Sequence, residues 1–514
     1  MSDKKPPQDG QFSNPDDIAQ AILLDYFFDP DPEAPLSKEL RSKARYTLAS
    51  WRQDFYQWTA GRWDRISDAE IDLWITKHLQ AHNESIAVSL GESPKVSIHK
   101  NLVGNVRLCL GARVLRPERR PLNVWDNIEQ DASITLSMTN GLLLLRQDGQ
   151  VELIEHSPDY FTFVRLPYDY DPGASYQQWE DFLLDVMEGD AERVFLLQQW
   201  VGYLLMPSLR QQKFLLIAGE GSNGKGVFFE IVERMLGREN ITHIPLAEFG
   251  QRFSLSSTLG KLANMNSESS ADITAYGENV LKSYTAGDAM SFARKFLDPI
   301  ECVPSAKIMI ACNELPKIQD RTQGIWRRLI FVPFEKIYTE KEQDKNLADK
   351  LAMHLSGVFS WAVKGIGLLK ESNGFVCPAK CIEALNDYQL RMNPGRGFLQ
   401  ENYEIDPQAE GVPCGEIYKA YTVWCEANGF KPLNSSNFGR EIKRMYPQMV
   451  KMKKTTGDRR IAIYAGLQKC DSIECVQSAN GIDGIPNPYF YRAKELVKVH
   501  SEEYKKEIAM PAKT

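Results

Sequence analysis

Nothing in this sequence is apolar for long enough to cross a bilayer, and its start, MSDKKPPQDGQFSNPDD, lacks the apolar core of a secretory signal. Cysteine is sparse and unpatterned. The nine Cys are an odd number scattered through apolar context, which fits a reducing cytosol better than a disulfide framework. Cys377/Cys381 and Cys470/Cys475 are loosely spaced and have no His beside them, so no thiolate–imidazole metal centre is expected. Positive charge is not in excess either: 61 Lys and Arg against 68 Asp and Glu leave a net charge of −7. That excludes a globally basic nucleic-acid binder and leaves room for a basic module. What is present is ordinary for globular protein, 43% hydrophobic and 25% charged, in a chain of 514 residues that is too long for one core.

Against that background one stretch carries chemistry: Lys213–Gly226, KFLLIAGEGSNGKG. Phe214–Ala218 is a short continuous apolar run, the pattern of a strand buried on both faces of a parallel sheet. A glycine-rich loop comes next and ends at Lys225. Val227–Leu236 then has helical periodicity, with Gly237 placed to cap it. Glycines let backbone N–H groups turn inward on an anion, the new helix adds its positive end, and Lys225 reaches toward β- and γ-phosphates. The candidate residues for ATP are therefore Gly219, Gly221, Ser222, Asn223, Gly224, Lys225, Gly226 and Val227. The loop departs from the P-loop pattern at one place. Gly226 stands where a Ser or Thr hydroxyl would hold Mg²⁺.

Upstream, residues 1–15 are polar and proline-rich and read as disordered, Asp16–Phe28 as a short helix, and 29–35 as a linker. Residues 36–206 read as mostly helical, with aromatics clustered at Trp51, Phe55, Tyr56, Trp58 and Trp63. An amphipathic helix is expected over Asp68–His82, a hairpin across Asn140-Gly141, and helices over Trp179–Met187 and Arg193–Leu205. A structural or oligomerising domain and a direct DNA contact both fit that composition.

Downstream, Lys261–Asn266 is a mostly apolar strand ending in Asn266-Ser267-Glu268. An NTPase needs a strand end that delivers a carboxylate beside the phosphate loop, to orient the attacking water and the metal shell. Glu268 is the one acid available, with Asn266 or Ser267 where a metal-side Asp is usual; a surface Glu at a strand end is also common without function. Ala306–Cys312 is the next buried strand and stops at Asn313, which either touches a γ-phosphate or merely starts the turn before Pro316. Arg327 and Arg328 then precede another strand ending at Phe334. Arginines so placed can serve a neighbouring subunit's nucleotide.

These segments, with Leu281–Lys295 (LKSYTAGDAMSFARK) between them, resemble a superfamily 3 helicase. They are more closely similar to the helicase half of phage and plasmid primase–helicases, relatives of the poxvirus primase–helicase. The resemblance covers about Trp51 to Phe334 and is most specific over 213–334. It implies an AAA+-like core working as a hexameric ring with ATP at subunit interfaces. On it, Lys225 is the Walker A lysine, Glu268 the Walker B carboxylate, Asn313 the sensor, and Arg328 ahead of Arg327 the arginine finger. It also implies that 281–295 forms a hairpin reaching into the ring channel, where Lys282, Arg294 and Lys295 meet DNA phosphates, whereas the residues alone read as an ordinary solvated loop. Gly226 and the missing Asp beside Glu268 both thin the Mg²⁺ shell. The first fifty residues are too short for the primase module of full-length relatives, so the chain is expected to be the helicase alone, which leaves room for a separate primase in trans.

Beyond Phe334, helices are expected over Thr339–Ser356, Val358–Lys370 and Pro378–Met392, with Asn393–Gly397 as a flexible domain boundary. Next come two helices, Gly415–Asn428 and Ser435–Tyr446, the second capped by its Ser, and a hairpin of Val450–Lys454 with Arg459–Tyr464. That order suggests a winged helix. Residues 431–460 hold nine basic side chains against two acids. Arg440, Lys443, Arg444, Lys451, Lys453, Lys454, Arg459 and Arg460 are the candidate duplex contacts, the alternative being a solvated basic face. The last fifty residues show only a charged helix over Tyr491–Ile508.

The fold class expected is thus multidomain α/β: a mostly helical N-terminal domain (36–206), an AAA+-like P-loop NTPase core (207–340), a helical extension or lid (341–397), a C-terminal winged helix (398–470) and a tail (471–514). The function expected is ATP-driven translocation of a ring on single-stranded DNA during replication of a phage, plasmid or satellite element, in a bacterial host cytoplasm. The rival is a replication initiator or regulator in which ATP drives assembly alone.

Overall fold

The computed structural model describes residues 14–29, 45–90, 96–117, 121–126, 132–146, 148–267, 272–295, 297–320, 323–406, 408–456 and 459–470. The expectations for residues 1–13, for Glu268 and for the helix over Tyr491–Ile508 lie outside the described residues.

The chain opens with α1 (Pro15–Tyr26), where the Asn14 side chain accepts from the Asp16 N–H. The domain beyond α1 is not mostly helical. The aromatic cluster builds an antiparallel meander of β1 (Leu48–Trp51), β2 (Asp54–Thr59) and β3 (Arg62–Ile66). Alternation explains it: Leu48 and Phe55 face α1 and two long helices, α2 (Asp68–Leu90) and α3 (Lys100–Arg113), whereas Ala49, Trp51, Tyr56 and Trp63 turn the other way onto Phe161. A second meander, β4 (Ala132–Ser137), β5 (Leu142–Arg146) and β6 (Val151–Ile154), contains the hairpin that Asn140-Gly141 predicts. Two helices, α4 (Gln177–Val186) and α5 (Ala191–Leu204), lead into the central sheet.

That sheet is made by β7 (Phe214–Ala218), β8 (Ile241–Thr242), β9 (Ala263–Asn266), β12 (Lys307–Cys312) and β13 (Leu329–Pro333), with α6 (Lys225–Leu236) after β7 and α7 (Ala275–Ala286) after β9. The hairpin β10 (Met290–Arg294) with β11 (Leu297–Cys302) is set between α7 and β12, and the one-turn α8 (Gln323–Trp326) precedes β13. The strand order is β8-β9-β12-β7-β13, every neighbour parallel. Both faces are covered, as a parallel sheet requires. Leu215, Ile217, Met309, Ala311, Ile330 and Val332 enter one core, while Phe214, Leu216, Ile308, Ile310, Leu329 and Phe331 enter the other.

The region after the sheet is built into that core. Glu340–Asn346 are all exposed and have nothing apolar to dock, so the helix expected over Thr339–Ser356 is instead α9 (Leu347–Ala352) and the start of α10 (Leu355–Glu371). α10 crosses α5 with almost no gap: a Cβ on Gly365 would lie 2.0 Å from the Gln198 carbonyl, and one on Gly202 2.6 Å from the Ile366 nitrogen. Gln198 Nε2 donates to the Trp361 carbonyl at 3.0 Å across the crossing. α11 (Ala379–Met392) covers the opposite face through Tyr388, whose ring meets Trp326 and Phe331.

The helix breaks at Asn393, as expected of a boundary, but 394–397 continue at once as a new helix in place of a flexible link. Pro394 occupies the first turn of α12 (Pro394–Asn402), where its missing N–H costs nothing, and buried Asn393 donates to Glu441 Oε1 at 2.8 Å. β14 (Val412–Pro413), α13 (Cys414–Ala427), α14 (Ser435–Met445), β15 (Val450–Thr456) and β16 (Arg459–Ala465) complete a small domain with sheet order β14-β16-β15. Its core centres on Tyr421 stacked on Phe438 at 4.1 Å. The cap of α14 is Asn434, accepting from the Asn437 N–H at 2.9 Å, one residue before the expected Ser.

Candidate nucleotide site and basic surfaces

Parallel register brings the sequence candidates to one sheet edge. Ala218 pairs with Cys312, so Gly219 and Asn313 leave adjacent strands side by side, and Asn266 ends the next strand opposite Ile310. The loop between β7 and α6 turns through Ser222 (φ 60°) and Gly224 (φ 82°). Gly219 has no room for a side chain: a Cβ there would lie 2.1 Å from the Phe334 carbonyl. Asn223 braces the turn. Its Nδ2 donates to the Phe334 carbonyl at 3.1 Å, and its Oδ1 accepts from the Lys225 backbone N–H at 3.3 Å.

Lys225 is the centre of the constellation and is 7% exposed. Its Nζ donates to the Gly219 carbonyl at 2.5 Å, the Glu220 carbonyl at 3.2 Å, Asn223 Oδ1 at 3.2 Å and Asn313 Oδ1 at 3.1 Å. None of those four acceptors is a carboxylate. Burial therefore lowers the pKa of the ammonium, and an anion brought into the loop would supply the charge it lacks. The residues present thus fit a phosphate chain. Gly226 sits in the first turn of α6 with nothing beyond its own turn of helix within 4 Å of the position its Cβ would take. Val227 is half-buried against the main core. Asn266 is half-buried and donates to the His243 carbonyl at 3.5 Å, while Asn264 behind it is buried and holds the Ile244 N–H at 2.7 Å.

A residue missed in the sequence supports this edge. Arg193, fully buried, donates from Nε to Asp190 at 2.7 Å, from one amino group to the Pro333 carbonyl at 2.9 Å and from the other to the Met187 carbonyl at 2.8 Å. It locks α4, α5 and the end of β13 behind the loop. Its only signal was the Asp190–Arg193 spacing at a helix start.

The arginine pair lies elsewhere. Arg327 and Arg328 precede β13, at the opposite edge of the sheet from the loop, about 16 Å away for five residues of strand. Arg328 is buried and donates to the Gly324 carbonyl at 2.6 Å, whereas Arg327 is exposed. The hairpin expected over 281–295 is present but shifted. Leu281–Ala286 belongs to α7, and the strands are β10 and β11. Lys282 pairs with Asp320 at 3.2 Å and Arg294 with Asp54 at 2.6 Å; Lys295 is exposed at the turn.

In the C-terminal domain Arg440, Lys443 and Arg444 are exposed on the face of α14 opposite its buried Phe438, Glu441 and Ile442. Lys451, Lys453 and Arg460 are exposed and share one face of the β15–β16 hairpin, by the pairings Lys451 with Tyr464, Lys453 with Ala462 and Thr455 with Arg460. Lys454 and Arg459 lie on these strands, with side chains outside the described residues. A cleft of about 350 Å³ separates α14 from α7, with Asn437, Arg440 and Arg444 on one wall and Glu278, Lys282 and Asp320 among those on the other. Burial raises the Glu278 pKa.

A doubly covered parallel sheet with a glycine loop and lysine at its C-terminal edge, followed by helices and a basic β-hairpin, defines a P-loop-like α/β core joined to a winged helix of DNA-binding type. Comparison with known proteins finds matches in both parts. Residues 217–328 match a family described as "Family of unknown function (DUF5906)", and residues 394–470 match the RFX DNA-binding domain. The chain is similar to Putative helicase 022R of Frog virus 3 (isolate Goorha), 28% identical over 243 residues, covering 42% of this chain and 24% of that protein. It is similar to Putative helicase 121R of Invertebrate iridescent virus 3, 23% identical over 307 residues, covering 52% and 32%. The C-terminal part is similar to Transcription factor RFX4 of Mus musculus, 43% identical over 54 residues, covering 10% and 7%. The chain spans about a quarter to a third of the length of those viral relatives. Among solved structures it is similar to "The A form apo structure of NrS-1 C terminal region-CTR", at 14% identity over 84% of this chain and 98% of that one, with a TM-score of 0.46. Among the described residues no helix is long and apolar enough to cross a membrane.

Proposed function

We infer that this chain is an ATP-dependent DNA helicase of superfamily 3 that works as a ring on single-stranded DNA during replication, with its winged helix engaging duplex DNA at an origin. The observation that carries the reading is the convergence of Lys225 Nζ and Asn313 Oδ1, 3.1 Å apart, at the mouth of a glycine loop. The strand order supports an AAA+-like core. Numbered from β7, it is 5-1-4-3-2, which places the Asn313 strand between the phosphate loop and the strand leading to Glu268. The named viral relatives support helicase activity, and the RFX match supports duplex binding.

In that mechanism Lys225 and the loop N–H groups hold the β- and γ-phosphates, Asn313 orients the terminal phosphate, and Glu268 positions water. Glu268 and Asn266 are the side chains offered to Mg²⁺, which when bound neutralises developing charge on the phosphates. The Arg327–Arg328 pair is too far from its own loop to act there. Its place is a neighbour's nucleotide, with the exposed Arg327 the one free to reach it, which requires the ring. Gly226 favours one rival, an initiator that ATP only assembles. Phosphate release by wild type and Glu268→Gln, with and without single-stranded DNA, separates them. The helicase reading expects DNA-stimulated turnover that the substitution abolishes; tight ATP binding without turnover in either protein overturns it in favour of the initiator.

A further inference from the structure

The β1–β2 connection is a two-residue turn, Arg52-Gln53, closed by the pairing of Trp51 with Asp54. Both turn residues have positive φ, 52° and 67°, the geometry that favours Asn-Gly in a tight hairpin. Two long side chains held there are a local conflict, and such conflicts persist where the surroundings fix them for a purpose. Here the turn grips the β10–β11 hairpin. Gln53 Nε2 donates to Asp298 Oδ2 at 3.3 Å, the Arg52 guanidinium sits beside the Cys302 thiol, and Asp54 Oδ2 accepts from Arg294 at 2.6 Å. The Asp54 and Arg294 side chains are 9% and 13% exposed. Arg294 also donates from Nε to the Asp298 carbonyl at 3.2 Å, and Arg65 holds the other Asp54 oxygen at 2.7 Å. A bulge between Phe292 and Arg294 turns the arginine toward this partner.

We propose that Asp54 is a positioning residue for the β10–β11 hairpin, and that a phosphate of single-stranded DNA replaces it on Arg294 when the strand binds. The proposal rests on the strand-contacting reading of this hairpin. Arg294 gives Asp54 only Nη1, and its Nε is held by the Asp298 carbonyl, so a phosphate that takes Nη1 together with the neighbouring amino group has to displace Asp54. The N-terminal domain and the strand therefore compete for the hairpin: docking on Asp54 holds it in the strand-free position, and strand binding frees it from the β1–β2 turn.

Fluorescence anisotropy of labelled oligo(dT) with the full chain, across a salt series, tests this. Asp54→Asn should tighten binding roughly three- to tenfold at low salt and steepen the salt dependence by about 0.7, the value of one more phosphate contact on a single strand. The double variant Asp54→Asn with Arg294→Gln should show neither change. Gln53→Ala removes an exposed turn contact without touching the buried pair and should tighten binding in the same direction but less; it decides the matter if Asp54→Asn fails to fold. A gain that persists in the double variant, or wild-type binding in Asp54→Asn and Gln53→Ala, overturns the proposal and leaves strand binding standing. A folded wild type that ignores oligo(dT) removes both.

Discussion

Gly226→Ser is the substitution that asks most of the nucleotide site. The position lies in the first turn of α6, and beyond its own turn of helix nothing stands within 4 Å of the Cβ a side chain would add, so the change needs no repacking. Replacing glycine inside a helix removes unfolded-state freedom worth about 0.5 kcal/mol relative to serine. The hydroxyl would stand where P-loops hold Mg²⁺. A bond to a charged group contributes about 1.5 kcal/mol, close to tenfold in an equilibrium constant. Phosphate release titrated with Mg²⁺ at saturating ATP should therefore reach half-maximum at roughly tenfold less metal in Gly226→Ser. Gly226→Ala isolates the helix contribution: it should gain about twice the stability that serine gains, about 1 kcal/mol, and leave the Mg²⁺ midpoint where it was. If serine does not lower that midpoint, or alanine lowers it equally, then α6 does not present position 226 to the metal and the placement of the phosphates is wrong.

Two other outcomes are expected on the same grounds of burial and charge. Lys307 is fully buried at the start of β12, with its ammonium on the Met206 carbonyl and over the Tyr203 ring, and burial pulls its pKa down to about 7. The unfolded chain holds that proton until near pH 10.4, so between about pH 7 and pH 9 it binds more protons than the fold and stability rises with pH, by up to about 1.4 kcal/mol per unit; chemical denaturation of Lys307→Met should show that slope flattened. Replacing exposed Arg440 and Lys443 together by Ala, and sparing Arg444 because it pairs with buried Glu441, should leave the unfolding midpoint unchanged while lowering the salt slope of duplex binding by about 0.9 for each phosphate that α14 no longer neutralises; an unchanged slope would remove α14 from the interface.

The phosphate-loop strand, the Gly237 cap of α6 and the Asn313 tip were legible because each is written in a few consecutive residues with its own chemistry. The N-terminal meander was not. Its strands are four to six residues long and turn through Arg-Gln and Ala-Gly rather than Asn-Gly, so the aromatics read as a cluster without a period. Asn434 and Ser435 are both good caps, and only the backbone chooses between them. Asn393–Gly397 carries the residues of a break, yet Pro394 in a first turn starts a helix as readily as proline elsewhere ends one. Farthest from reach were the partners of the basic residues. Asp54 and Arg294 are 240 positions apart, and nothing local to either announces the other.

The glycine contact between α5 and α10 decides where the smallest working version of this protein can be cut. Backbones that meet within the space of a missing Cβ cannot be separated without exposing Trp361 and Trp200, both fully buried. A shortened chain beginning at Phe214 or ending at Phe334 would keep every residue of the phosphate site and discard one wall of its support. Expression of the parallel-sheet core alone should therefore begin ahead of α4 and run past α10; the β10–β11 hairpin and the cleft against α14 lie outside this seam.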